Sequence, residues 1–182
     1  MIEVEIRAKI GDLEQVKNEL QKIGAEFVKK ERQSDHIFGR EKDLDGEHKI
    51  IEGHFSARIR EKGEKKLIEF KEINRNGIGM EFSSPLSSMG SGFNFLEKLD
   101  FTKAFSIVKN REVYKYQNFE ICLDDVEQLG CFIEIESSSH EDGDRSEEIK
   151  KCRDLMGLIA PGAISESKKY GDLMQELINK NQ

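Results

Sequence analysis

The chain has 182 residues, 36% of them charged and 36% hydrophobic, and its 29 Lys and Arg against 36 Asp and Glu give a formal net charge of -7. That length suits one domain, residues 1–182; no apolar run approaches the ~20 residues of a membrane helix, and no charged-then-apolar leader pattern opens the sequence. A sequence pI near 5.3 disfavours nucleic acid, whose phosphates call for a basic surface, and three cysteines (Cys122, Cys131, Cys152) are too few and odd in number for a disulfide framework. A cytoplasmic protein in a reducing compartment, with no nucleic-acid and no membrane partner, is expected.

Residues 1–10 alternate strictly. Ile2, Val4, Ile6, Ala8 and Ile10 interleave with Glu3, Glu5, Arg7 and Lys9, a strand with one apolar and one charged face. Leu13, Val16, Leu20 and Ile23 then recur at helical spacing, with Asp12 as N-cap and Gly24 as stop. Residues 25–38 read as extended, and 42–53, polar with two glycines, as a loop or mobile segment. Strands follow at 55–60, 67–73 and 80–82, with turns at Gly63 and at 74–79, where glycine and asparagine concentrate. Residues 83–92 read as a Ser/Gly-rich connection and 93–99 as a helix. Strands are expected at 105–116, 119–126 and 131–137. Two amphipathic helices close the chain, one carrying Ile149, Cys152 and Leu155 and the other Tyr170, Leu173, Met174, Leu177 and Ile178. Many closely spaced strands with few helices indicate an antiparallel sheet or barrel in an α+β domain.

The polar strand faces are concentrated charge. They read Glu3-x-Glu5-x-Arg7-x-Lys9, Arg58-x-Arg60, Glu69-x-Lys71, Lys109-x-Arg111, Glu120 with Asp124, and Glu134-x-Glu136. Side chains two apart on a strand point the same way, so each strand brings two or more ionised groups to one surface. A solvated sheet face is one reading. However, Arg58 beside Arg60 and Glu134 beside Glu136 repel, which makes sense if something multiply charged lies between them. Clustered carboxylates suit Mg2+ or Mn2+, and clustered Arg and Lys suit phosphate oxygens. Together they suggest a metal-bound polyphosphate in a barrel whose charged faces point inward.

The opening Glu3-Val4-Glu5-Ile6-Arg7 resembles the ExExK signature of the CYTH superfamily, the triphosphate tunnel metalloenzymes. Further segments resemble the family in order. Residues 33–38 (QSDHIF) resemble its QxDxYF strand, Ala57-Arg58-Ile59-Arg60 its LRIR strand, 67–71 the strand with the tunnel lysine, and Lys109-x-Arg111 its KxR strand. The run from Leu123 to Glu136 is similar to LDxVxxLGxFxEIE, and 165–177 to the terminal SYxELL helix. The resemblance implies an α+β fold, an eight-stranded antiparallel β-barrel (tunnel) with a charged lumen and helices packed outside. By position it makes Glu3, Glu5, Asp124, Glu134 and Glu136 the metal ligands. It places Arg58, Arg60, Lys71, Lys109, Arg111 and Lys9 on the substrate, and Arg7, Lys71, Lys109 and Arg111 at the reaction. It also implies Mg2+ or Mn2+ as cofactor, a small-molecule triphosphate (ATP, tripolyphosphate or thiamine triphosphate) as substrate, and compatibility with a homodimer.

The Lys109-x-Arg111 strand and the LDxVxxLG run lean toward a class IV adenylyl cyclase-like enzyme, ATP to cyclic AMP and pyrophosphate. The alternatives are an inorganic or thiamine triphosphatase and a non-catalytic polyphosphate- or nucleotide-binding module. Three departures bear on the choice. Arg7 stands where the signature has lysine, Ile37 replaces a tyrosine, and the RxExE strand is reduced to Glu81 with Ser83 in place of a second Glu. His36, His48, His54 and His140 have no zinc-ligand spacing, and Gly77-Ile78-Gly79 lacks the GK[ST] of a phosphate loop. Lys168–Lys169 reads either as a helix-face pair or as a substrate contact.

Overall fold

The computed structural model describes residues 2–46, 49–73, 80–139 and 145–181, with side chains for all of these except residues 2, 3, 138 and 139. The expected turn at 74–79, His48 and His140 lie outside the described residues. The elements run β1 (Ile2–Ile10), α1 (Leu13–Lys22), β2 (Glu26–Gly39), β3 (Phe55–Lys62), β4 (Lys65–Glu72), β5 (Glu81–Pro85), α2 (Met89–Lys98), β6 (Thr102–Tyr116), β7 (Phe119–Val126), β8 (Gly130–Ser139), α3 (Arg145–Ile159), β9 (Ile164–Ser165) and α4 (Tyr170–Lys180). Hydrogen bonding joins the strands in the order β5-β4-β3-β2-β6-β7-β8-β1-β9. The α+β class with a large antiparallel sheet therefore holds. The sheet differs from the expected barrel in having nine strands and two free ends: no pairing joins β5 to β9 among the described residues. No helix among the described residues is long and apolar enough to cross a membrane.

The chain divides into two compact units, one of Met1–Glu31 with Lys109–Lys169 and the other of Arg32–Val108 with Tyr170–Gln182. In the first, β8 pairs antiparallel with both β1 and β7. The alternation of β1 turns Val4, Ala8 and Ile10 inward, to join Ile121, Leu123, Ile133 and Ile135 in one buried cluster. That cluster is closed by Val16 and Leu20 of α1 and by Cys152, Leu155, Met156 and Ile159 of α3. Burying a side chain such as Leu20 contributes about 1.5–3 kcal/mol, and the strand faces opposite are left to the charged residues. Asp12 caps α1 as its sequence position predicts, Oδ1 accepting from Glu14 N at 2.8 Å. The β7–β8 turn passes through Gly130 at φ 93°, a left-handed conformation that favours glycine.

In the second unit β3 pairs antiparallel with β2 and β4, and β4 with β5. Phe38, Ala57, Ile59, Leu96 and Phe101 form its core, with Phe93 and Leu86 packed against it. Gly63, at φ 58°, turns β3 into β4. The described residues of the expected loop, 42–46 and 49–53, carry more structure than expected. Glu41–Asp43 form a 3-10 turn, Leu44 bridges Ile50, and buried Asp43 accepts from Arg40 Nε at 2.5 Å and lies 2.8 Å from His54 Nδ1. α2 starts at Met89 rather than at residue 93, because Ser88 caps it by accepting from Ser91 N at 3.1 Å.

Candidate functional site

Strand register decides which charges meet. In the first unit Arg7 lies opposite Glu134, and Glu5 opposite Glu136. On the far side of β8, Glu120 is also opposite Glu136. Glu5, Glu136 and Glu120 thus form one row of carboxylates across three strands. Like charges directly opposite each other destabilise a sheet, and a hard dication is the partner such oxygens suit. Among the described residues no three His, Cys, Asp or Glu side chains already converge as ligands. Glu3 lies on β1, outside the described side chains.

Beside that row lies a network of three acids and three bases. Arg7 Nε donates to Glu134 Oε1 at 2.6 Å, and its Nη2 to Glu5 Oε1 at 2.8 Å. Arg111 grips Asp124 with Nε at 2.7 Å and Nη2 at 2.5 Å, and Nη2 also donates to Glu134 Oε2. Lys109 Nζ donates to Asp124 Oδ2 at 2.9 Å. Asp124 is 0% exposed and Glu134 and Lys109 are buried. Charges that deep persist only when paired and hydrogen-bonded.

The protonation states follow from this packing. Burial pushes the Asp124 carboxyl up, but hydrogen bonds from Arg111 and the charge of Lys109 outweigh it and hold it below its ordinary value. Glu134 is likewise held down, burial being overcome by Arg111, Arg7 and Lys109. Glu5 goes the other way, raised by partial burial and by the negative charge of Glu134. Lys109 is lowered by burial and by neighbouring Arg111. Cys122, on β7 opposite Glu134, is pushed up by burial to about 12, so its thiol is inert near neutrality. Lys9 does not join the network; its Nζ lies 5.7 Å from the centre of the Phe132 ring.

The second unit carries a parallel set. Arg60 binds Asp35 in a fork, Nε at 2.7 Å and Nη2 at 2.6 Å. Arg58 Nε donates to Glu69 Oε2 at 2.6 Å, while its Nη2 reaches Glu81 Oε1 at 3.5 Å. Lys71 Nζ donates to Glu81 Oε2 at 2.8 Å. Burial raises the Glu81 carboxyl, but the Lys71 hydrogen bond and charge, with Arg58 and Arg60, bring it below its ordinary value. The structure brings Arg58 and Lys71 together on Glu81, with Arg58 also on Glu69 and Arg60 on Asp35. It adds Asp35 and Glu69, both buried, which sequence reasoning did not single out as site residues. Their signal was present in the QSDHIF segment and in the Glu69-x-Lys71 alternation. Ser83 lies directly opposite Glu69, so Glu69 supplies a carboxylate beside the place where the second RxExE acid is missing.

Residues 1–169 match the CYTH domain. The chain belongs to the CYTH domain family. A candidate adenylate cyclase of Methanocaldococcus jannaschii is 30% identical over 160 residues, covering 86% of this chain and 88% of that protein. Among solved structures, a conserved hypothetical protein of Pyrococcus furiosus superposes on this CYTH chain with a TM-score of 0.72 at 25% identity, over 93% of this chain and 98% of the other. A candidate adenylyl cyclase of Hippeastrum, reported with a dominant triphosphatase activity, has a TM-score of 0.67 at 15% identity, over 96% of each chain. At that identity the likeness is one of fold.

Proposed function

We propose that this CYTH chain is a metal-dependent enzyme acting on a triphosphate, most simply a class IV adenylyl cyclase-like enzyme converting ATP to cyclic AMP and pyrophosphate. The observation that carries the reading is the row Glu5–Glu136–Glu120 beside the network built on Arg7, Lys109 and Arg111. Oxygen donors for a hard cation thus adjoin bases for phosphate. The reading includes a single domain over residues 1–182 with the family's eight-stranded tunnel. It also includes a cytoplasmic setting, in line with three free cysteines.

Glu3, Glu5, Glu134 and Glu136 are assigned to Mg2+ or Mn2+. When bound there, the ion polarises the reacting phosphorus and lowers the pKa of the attacking hydroxyl. Asp124, bonded to Lys109 and Arg111, serves by fixing those two bases. Arg58, Arg60, Lys71, Lys109 and Arg111 take phosphate oxygens, the arginines as two-pronged donors and the lysines as point charges. Their carboxylate partners hold them in place before substrate arrives, so little reorganisation remains when charge develops in the transition state. Attack of the ribose 3′-oxygen on the α-phosphorus then expels pyrophosphate.

Hydrolysis of the terminal phosphate is the second reading, supported by the triphosphatase activity reported for the Hippeastrum protein of the same fold. Incubation with Mg2+ or Mn2+ and ATP, tripolyphosphate or thiamine triphosphate separates the readings by product. Cyclic AMP with pyrophosphate is expected. Orthophosphate establishes the hydrolase, and binding without turnover under either metal overturns both.

A further inference from the structure

The Arg7 guanidinium uses all three of its nitrogens. Besides Glu134 and Glu5, it reaches the main chain: Nη1 donates to the Lys168 carbonyl at 2.8 Å. The backbone meets the same segment, with Glu166 N donating to Arg7 O at 2.9 Å and β9 pairing Ser165 with Ala8 and Ile164 with Lys9. Lys168 N in turn donates to Glu166 Oε1 at 2.8 Å. Residues 164–168 form a strap that Arg7 holds by both backbone and side chain. The fork suits the task, since lysine offers its donors from a single nitrogen, and it stands where the family signature has lysine.

Both oxygens of Glu134 are already engaged, Oε1 by Arg7 and Oε2 by Arg111. A dication held by Glu5 and Glu134 would compete with the guanidinium for carboxylate oxygens that Arg7 already engages, and like charge would repel it.

We propose that Arg7 is a positioning residue that stands in for a divalent cation between Glu5 and Glu134 and ties those carboxylates to the strap at residues 164–168. Uptake of the cation displaces the guanidinium and loosens the strap, which then keeps only its backbone pairing to β1. The inference rests on the reading of Glu5 and Glu134 as cation ligands.

Two measurements on the full chain test it: Mn2+ titration without substrate, and hydrogen–deuterium exchange of residues 164–168. Saturating Mn2+ is expected to raise exchange in the wild-type strap about tenfold. Arg7→Lys keeps the charge but loses the fork, so its strap exchanges fast without metal while Mn2+ affinity stays near wild type. Arg7→Met loosens the strap too and, with the competing cation gone, binds Mn2+ about tenfold more tightly; a merely structural role for Arg7 predicts weaker binding. If Arg7→Met fails to fold, the wild type and Arg7→Lys decide. Bound Mn2+ with unchanged strap exchange overturns the Arg7 link alone. Absence of Mn2+ binding overturns the ligand assignment beneath it.

Discussion

Asp124 has no solvent exposure and accepts hydrogen bonds from Lys109 and Arg111. Asp124→Ala leaves buried Lys109 and half-buried Arg111 without their shared partner, and such losses cost about 3–5 kcal/mol. Urea denaturation is expected to show that loss, and a change below about 1 kcal/mol, the range of an exposed pair, contradicts the buried network. The acid limb follows from the same groups. Arg111 and its neighbours hold the Asp124 and Glu134 carboxyls below their ordinary values. Their contribution to stability is therefore full above the unfolded carboxylate pKa of about 4 and fades as pH falls through the lower folded values. Urea midpoints should change little through this pair between pH 7 and about 5 and fall below about pH 4, with a shallower fall in Asp124→Ala. An equally steep fall in the variant excludes Asp124 as a source. The charged residues themselves were legible in the sequence, because alternation displays them. Their pairing was not, because Asp35 meets Arg60 and Glu69 meets Arg58 only through strand register, which hairpin turns fix.

At the scale of elements, legibility followed the strength of the local pattern. β1 and α1 emerged because apolar spacing of two and of three-to-four residues is unambiguous, and the Asp12 cap marks the helix start. Asp12→Ala is expected to cost about 1 kcal/mol, read as a lower thermal midpoint with metal-dependent turnover per folded molecule unchanged; an unshifted midpoint contradicts the cap. β9 escaped notice because Ile164 and Ser165 are both exposed and carry no periodicity; their order comes from pairing with β1. The start of α2 was hidden by Met89-Gly90-Ser91-Gly92, whose two glycines are poor helix formers. The 3-10 turn at Glu41–Asp43 depends on Asp43 meeting Arg40 and His54, and the second of these contacts bridges eleven positions that no periodicity links.

For the whole molecule, the net charge of -7 conceals two balanced networks, each of three acids and three bases. Composition spoke only against a basic nucleic-acid surface, while position exposed the sorting of charge. The open ends of the sheet among the described residues were not legible, since alternation says which face a residue occupies and nothing about which strands finally meet. The central claim is that these charges serve metal-dependent triphosphate chemistry, and Glu134 is its sharpest point, because it bonds both Arg7 and Arg111. The most direct test compares wild type with Glu134→Gln, shown folded by circular dichroism, for turnover of ATP and tripolyphosphate with and without Mn2+. Turnover that requires Mn2+ in the wild type and falls at least about a hundredfold in Glu134→Gln, as for loss of a group stabilising developing charge, is the predicted result. Equal turnover in the two proteins, or none in the wild type with Mn2+, contradicts it.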